Sequence, residues 1–138
     1  MKLEWKEEYS VGVGEIDSQH KKIIGFINDL DNSVQSENAK EELGNTIEGL
    51  NAYAKFHFTT EERYFEQFNY EDRQEHEKRH DDYMNKVTDF EKKVGELNGG
   101  DTVKLAFEML DFLEDWWVNH ILHEDKGYTE TFNNNGLK

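Results

Sequence analysis

The chain contains no cysteine and no proline, and its 16 basic residues are scattered among 31 acidic ones. Without cysteine there are no disulfides, no thiolate metal ligands and no thiol nucleophile. A formal net charge of −15 with no basic cluster leaves nothing to displace the counterions of a polyphosphate, so nucleic acid is excluded as a partner. The opening MKLEWKEEYS lacks the apolar run of a signal peptide, and no segment approaches the length of a membrane span. A cytoplasmic protein with no membrane insertion is therefore expected. Strict polar–apolar alternation is missing too, so no strand is predicted. There is no internal repeat and no low-complexity tract. The 138 residues present suffice for one domain with a real core.

What the sequence does have is helical periodicity. The spacing predicts helices over about 17–36, 39–68, 71–97 and 101–126, with an arm at 1–16 and a loose tail at 127–138. Asp17 or Ser18 is the expected N-cap of the first helix, and Asp101, closing the NGGD break at 98–101, that of the fourth. The first helix carries Ile16, Ile23, Ile24, Ile27, Leu30 and Val34 on one stripe. The second carries Leu43, Ile47, Leu50, Ala54, Tyr64 and Phe68; the third Tyr83, Val87, Phe90, Val94 and Leu97; the fourth Val103, Ala106, Leu110, Leu113 and Trp117. One three-to-four stripe per helix and short connections predict an all-α, up-down-up-down four-helix bundle.

Ionisable side chains interrupt every stripe. Stepping along the second helix from Ala54 reaches His57 and Glu61; stepping back along the third reaches His80 and His76. The fourth leads to His120, and the first leads back to His20. Burying such groups without partners costs roughly several kcal/mol each. Their depth agrees as well. About sixteen residues separate His20 from the first turn and about eighteen lead back to His57, the same level within one turn at ~1.5 Å per residue. A single histidine on an apolar stripe is more often a hydrogen-bonded core residue. Five on four helices at one level, with carboxylates, point to a metal.

Imidazole and carboxylate without sulfur suit iron, manganese or zinc. One zinc takes four ligands, and here about seven converge. If Glu61 and a carboxylate of the fourth helix each bridge two ions, five nitrogens and four oxygens make nine bonds. A bridging oxo or hydroxo group makes eleven of the twelve positions of two octahedral ions. One position stays open, on the ion with fewer histidines. Helical spacing alone pairs His120 with Glu124, four residues on, and places Asp125 off that face.

HEKRH (76–80) also matches the zinc-protease pattern H-E-x-x-H, but its Lys-Arg interior and the absence of a docking strand speak against it. That reading leaves His20, His57, Glu61 and His120 without a role. A ferritin-like oxidase needs two E-x-x-H motifs, and only Glu77–His80 supplies one.

The set I-D-x-Q-H (16–20), H-x-x-x-E (57–61), H-x-x-x-H (76–80) and H-x-x-x-x-D (120–125) resembles the hemerythrins. YSVGVGEIDSQHK and WWVNHILHEDK are most similar to the bacterial branch, the bacteriohemerythrins. The resemblance spans nearly the whole chain. It implies a left-handed four-helix bundle with a non-heme di-iron centre, oxo- or hydroxo-bridged, that binds O2 reversibly for storage, transport or delivery. Position by position, His76, His80 and His120 would hold one iron, His20 and His57 the other, and Glu61 and Asp125 would bridge. The choice of Asp125 over Glu124 implies a π-like irregularity in the last turn. Ile24 and Trp117 are candidates for a dry lining around the open position, and His123 is not expected to be a ligand. An O2-binding monomer rather than an enzyme is expected. O2 or redox sensing, iron sensing and a weak oxidase or peroxidase activity are the alternatives, and an O2-consuming enzyme or a signalling protein is the conceivable partner.

Overall fold

The structure is a computed structural model that describes residues 3–97 and 101–138. Four long helices dominate it: α1 Gly14–Ser33, α2 Ala39–Gln67, α3 Arg73–Gly95 and α4 Thr102–Asn119. A π-helical turn, His120–Glu124, and a 3-10 turn, Asp125–Tyr128, lead into a short fifth helix, α5 Thr129–Asn134. No strand occurs among the described residues, and no described helix is long and apolar enough to cross a membrane.

Neighbouring helices run antiparallel. Gln19 meets His57 at one end of α1 and α2. Glu62 meets His80, and Asn51 meets Glu91, along α2 and α3. Trp117 meets Tyr83, and Phe112 meets Phe90, along α3 and α4. The first-helix stripe is buried except at its end, where Val34 is half-buried. In α2 the stripe beyond Glu61 continues to the fully buried Phe65, four residues on, whereas Tyr64 and Phe68 are half-buried. In α4 the predicted Val103 is exposed and Thr102 is buried. Stepping back from Ala106, the 3.6-residue pitch keeps the buried face at position 102.

The ends of the helices depart from the sequence reading in three places. First, α1 begins at Gly14, so Asp17 is not an N-cap. Its carboxylate instead accepts hydrogen bonds from the Val11 N–H and the Ser10 hydroxyl, tying the arm to the helix. Second, Asp101 caps α4 through its carbonyl, which accepts the Leu105 N–H, and not through its side chain. The rest of the NGGD break lies outside the described residues. Third, the expected loose tail is α5, with Phe132 wholly buried. Phe132 stacks on Tyr128 at 4.2 Å and abuts Phe65 and Phe68. Gly136, at φ 88°, ends α5 with the Leu137 N–H returning to the Phe132 carbonyl, a Schellman closure. The aromatic packing supplies the burial that sequence periodicity over six residues does not reveal.

The arm and α5 together close one end of the bundle. The Thr129 hydroxyl donates to the Val11 carbonyl at 2.6 Å. Gly12, at φ 72°, sits where a Cβ would stand 3.0 Å from the Thr129 methyl, so only glycine fits without displacement. At the same end, Asn69 takes φ 52° as α2 stops, and the Tyr70 N–H returns to the Phe65 carbonyl. Asparagine tolerates this left-handed geometry better than most residues. The turn sets α3 antiparallel to α2, which brings His76 and His80 alongside Glu61.

Candidate metal centre

Under this closed end lie His20 from α1, His57 and Glu61 from α2, His76 and His80 from α3, His120 from the π turn and Asp125 just after it. All seven are buried. Their donor atoms form two groups that share the carboxylates: Glu61, His76, His80, His120 and Asp125 in one, and His20, His57, Glu61 and Asp125 in the other. Asp125 turns one oxygen to each group. Its Oδ1 lies 2.9 Å from Nε2 of both His76 and His120, and its Oδ2 lies 2.8 Å from Nε2 of His20. Glu61 Oε1 faces both groups as well, 3.2 Å from Nε2 of His57 and of His80. Its Oε2 accepts the Tyr128 hydroxyl at 2.6 Å.

The π turn explains why Asp125 and not Glu124 enters the site. One extra residue in the turn rotates position 125 back toward His120. Glu124 is left outside, with Oε1 3.0 Å from Nε of Arg79. His123 is exposed.

This arrangement fits a metal better than it fits protons. Two histidine pairs approach nitrogen to nitrogen, His20 to His57 at 3.2 Å and His76 to His120 at 3.1 Å. Two nitrogens ~2.1 Å from one ion and at right angles would be ~3.0 Å apart. Despite their near neighbours, Glu61 Oε1, both Asp125 oxygens and His80 Nε2 make no hydrogen bond. Burying such groups without compensation costs roughly several kcal/mol. Burial and the Asp125 charge push the Glu61 carboxyl up, but the facing His57 and His80 imidazoles outweigh them and hold it well below the usual carboxylate range. Asp125 is likewise raised by burial and held far below that range by His120, His20 and His76. Both are therefore anions. Burial lowers His57 and His120 despite the adjacent carboxylates, so these imidazoles are neutral. His80, pushed down by burial, is lifted to about 9 by the adjacent Glu61 and Glu62 carboxylates. His57 and His120 therefore bring no charge to two buried anions whose inward oxygens are orphaned, and nitrogen–oxygen donors without sulfur suit iron, manganese or zinc.

Three supporting residues escape a reading of the stripes. Gln19 Oε1 accepts the His57 Nδ1–H at 2.6 Å. Glu62 Oε2 accepts the His80 Nδ1–H at 2.8 Å. Tyr128 holds Glu61 from the expected tail. Gln19 and Glu62 directly adjoin His20 and Glu61 in sequence, and that adjacency was the available signal. Aromatic rings wall the site. Phe58 stacks on His80 at 3.9 Å, Trp116 stacks on His120 at 4.3 Å, and Trp117 lies 5.8 Å from His57 and 6.5 Å from His20. Ile24 is also buried.

Residues 11–131 match the family model of the hemerythrin HHE cation binding domain. A bacteriohemerythrin of Clostridium acetobutylicum is 32% identical over 129 residues, covering 91% of this chain and 98% of its own length. A bacteriohemerythrin of Methylococcus capsulatus is 33% identical, with 88% of each chain covered. A crystal structure of wild-type hemerythrin superposes with a TM-score of 0.82 at 30% identity, over 95% of this chain and 98% of that one.

Proposed function

The chain belongs to the hemerythrin family, and from that premise we propose that it binds O2 reversibly at a non-heme di-iron centre, as an oxygen store or carrier and not as an enzyme. His76, His80 and His120 would hold one iron and His20 and His57 the other, with the Glu61 and Asp125 carboxylates available to both. The observation that carries this reading is the division of Asp125, with Oδ1 toward His76 and His120 and Oδ2 toward His20. With three histidines on one side and two on the other, the two-histidine iron would be the one with room for O2.

When bound, the iron pair supplies the electrons that O2 takes up and gives back. The chain's own residues fix the ligands and exclude water. Tyr128 holds the Glu61 carboxylate by its second oxygen, so that Oε1 stays turned to both groups. Gln19 accepts a hydrogen bond from the His57 Nδ1–H, which leaves Nε2 free as the metal-donor nitrogen. Trp117, its Nε1–H held by the Tyr83 hydroxyl at 3.0 Å, stands beside the two-histidine position and, with Phe58 and Ile24, keeps solvent out. Five imidazoles and only two carboxylates give less anionic support for high-valent iron than a carboxylate-rich oxidase site, which favours binding over turnover.

Visible absorption spectroscopy tests the proposal. Iron-loaded protein should show oxo-bridged ferric absorption in air and bleach under dithionite. After the dithionite is removed, it should show a visible band on adding O2 that vanishes on removing it. Direct return to the ferric spectrum, with no reversible band, would sink the carrier reading in favour of an oxidase or a redox sensor.

A further inference from the structure

Two imidazoles of the centre have protein acceptors on Nδ1, and the acceptors differ in charge. On the two-histidine side the acceptor is a neutral amide inside a closed chain. The Thr60 hydroxyl donates to the Phe56 carbonyl at 3.0 Å and accepts the Gln19 amide N–H at 3.4 Å, which leaves the Gln19 oxygen for His57. Gln19 and Thr60 are both buried, so no solvent competes for these bonds. On the three-histidine side the acceptor is the Glu62 carboxylate, whose side chain is 36% exposed in a groove between α2 and α3 beside Lys55 and Asp81. By contrast, Nδ1 of His20 and of His120 has no protein partner.

We propose that Glu62 and Gln19 are positioning residues that make the two metal positions unequal: Glu62 strengthens the three-histidine position through His80, and Gln19 leaves the two-histidine position weaker through His57. The inference rests on the assignment of these histidines as ligands made above. An imidazole whose N–H donates to a carboxylate is held in one tautomer and gains electron density, so its other nitrogen binds a cation more strongly. An amide fixes the tautomer without adding negative charge. The three-histidine ion then has both the larger number of nitrogens and the more basic one. The ion with the vacant position keeps the less electron-rich set. Two positions held in one cage by shared carboxylates are thereby made to differ in affinity and in potential.

The test uses the full chain stripped of metal and titrated with Co(II) in the absence of O2, followed by visible spectroscopy, beside the E62Q, E62A and Q19E variants. Wild-type protein is expected to bind two equivalents, the first more tightly. E62A should lose about 10–100-fold in affinity at the tighter step alone. E62Q, which keeps a neutral acceptor, should lose less, and Q19E should narrow the gap between the steps by strengthening the weaker one. In the iron-loaded protein, E62Q should move the ferric/ferrous midpoint positive. Wild-type affinities and midpoint in E62A and E62Q would overturn the proposal. So would equal losses at both steps accompanied by a lower unfolding midpoint, since that marks a merely structural role. A wild-type protein that binds two Co(II) unequally but shows no reversible O2 band would contradict the proposed function and leave this inference standing.

Discussion

Two adjacent carboxylates at the end of α4 show how far one residue's placement decides the chemistry. Glu124 and Asp125 are equally plausible ligands by composition, yet one faces Arg79 at the surface and the other is wholly buried among three imidazoles. Asp125→Asn is expected to abolish binding of two ions per chain, because a neutral amide cannot supply charge to both groups. Glu124→Gln should leave the stoichiometry at two and cost less than about 1 kcal/mol of stability, the usual worth of an exposed ion pair. Glu61→Ala should behave like Asp125→Asn. Iron content per chain after reconstitution checks all three, and retention of both irons in Glu61→Ala would remove that residue from the bridging role.

At the scale of elements, α2 and α4 present a histidine and a carboxylate to the same centre by different means. On α2, His57 and Glu61 stand four apart in regular helix. Just beyond α4, His120 and Asp125 stand five apart, and the π turn takes up the extra residue. One alanine inserted after His123 should turn the Asp125 carboxylate away by about 100° of helix rotation and lose the shared carboxylate. Deleting the exposed His123 and changing Asp125 to Glu should recreate on α4 the spacing of α2 and keep two ions. Metal titration of both variants, with far-UV circular dichroism to verify the helices, separates these outcomes. The need for a π turn was legible only as a conflict, since regular spacing paired His120 with Glu124 while the resemblance paired it with Asp125. The conformation that resolves it depends on His20 of α1 and His76 of α3 drawing the carboxylate inward.

At the scale of the molecule, the bundle encloses a cluster of charges and dipoles that it does not itself satisfy. The orphaned Glu61 and Asp125 oxygens set the buried electrostatics against the packing that surrounds them. Metal bound only by the folded state therefore adds its binding free energy to folding, about 2.7 kcal/mol when free ion reaches 100 times the dissociation constant. Differential scanning calorimetry of metal-free protein should show the melting temperature rise with added Fe(II) or Zn(II). A melting temperature indifferent to either ion would contradict a metal centre in the core. α5 belongs to the same scale, since Phe132 and Tyr128 seal the end at which the histidines converge.

The sequence alone determined the helical class, the antiparallel order and the convergence of His20, His57, Glu61, His76, His80 and His120, because a 3.6-residue period and a fixed rise convert spacing into face and depth. Asp125 and its π turn were legible through the resemblance but not from spacing, and nothing in the sequence determined the capping helix α5 or the roles of Gln19, Glu62 and Tyr128. Those depend on contacts between segments as far apart as residues 61 and 128, and on burial that no local period encodes. Only the packed bundle decides which neighbour of a ligand faces its imidazole and which faces water.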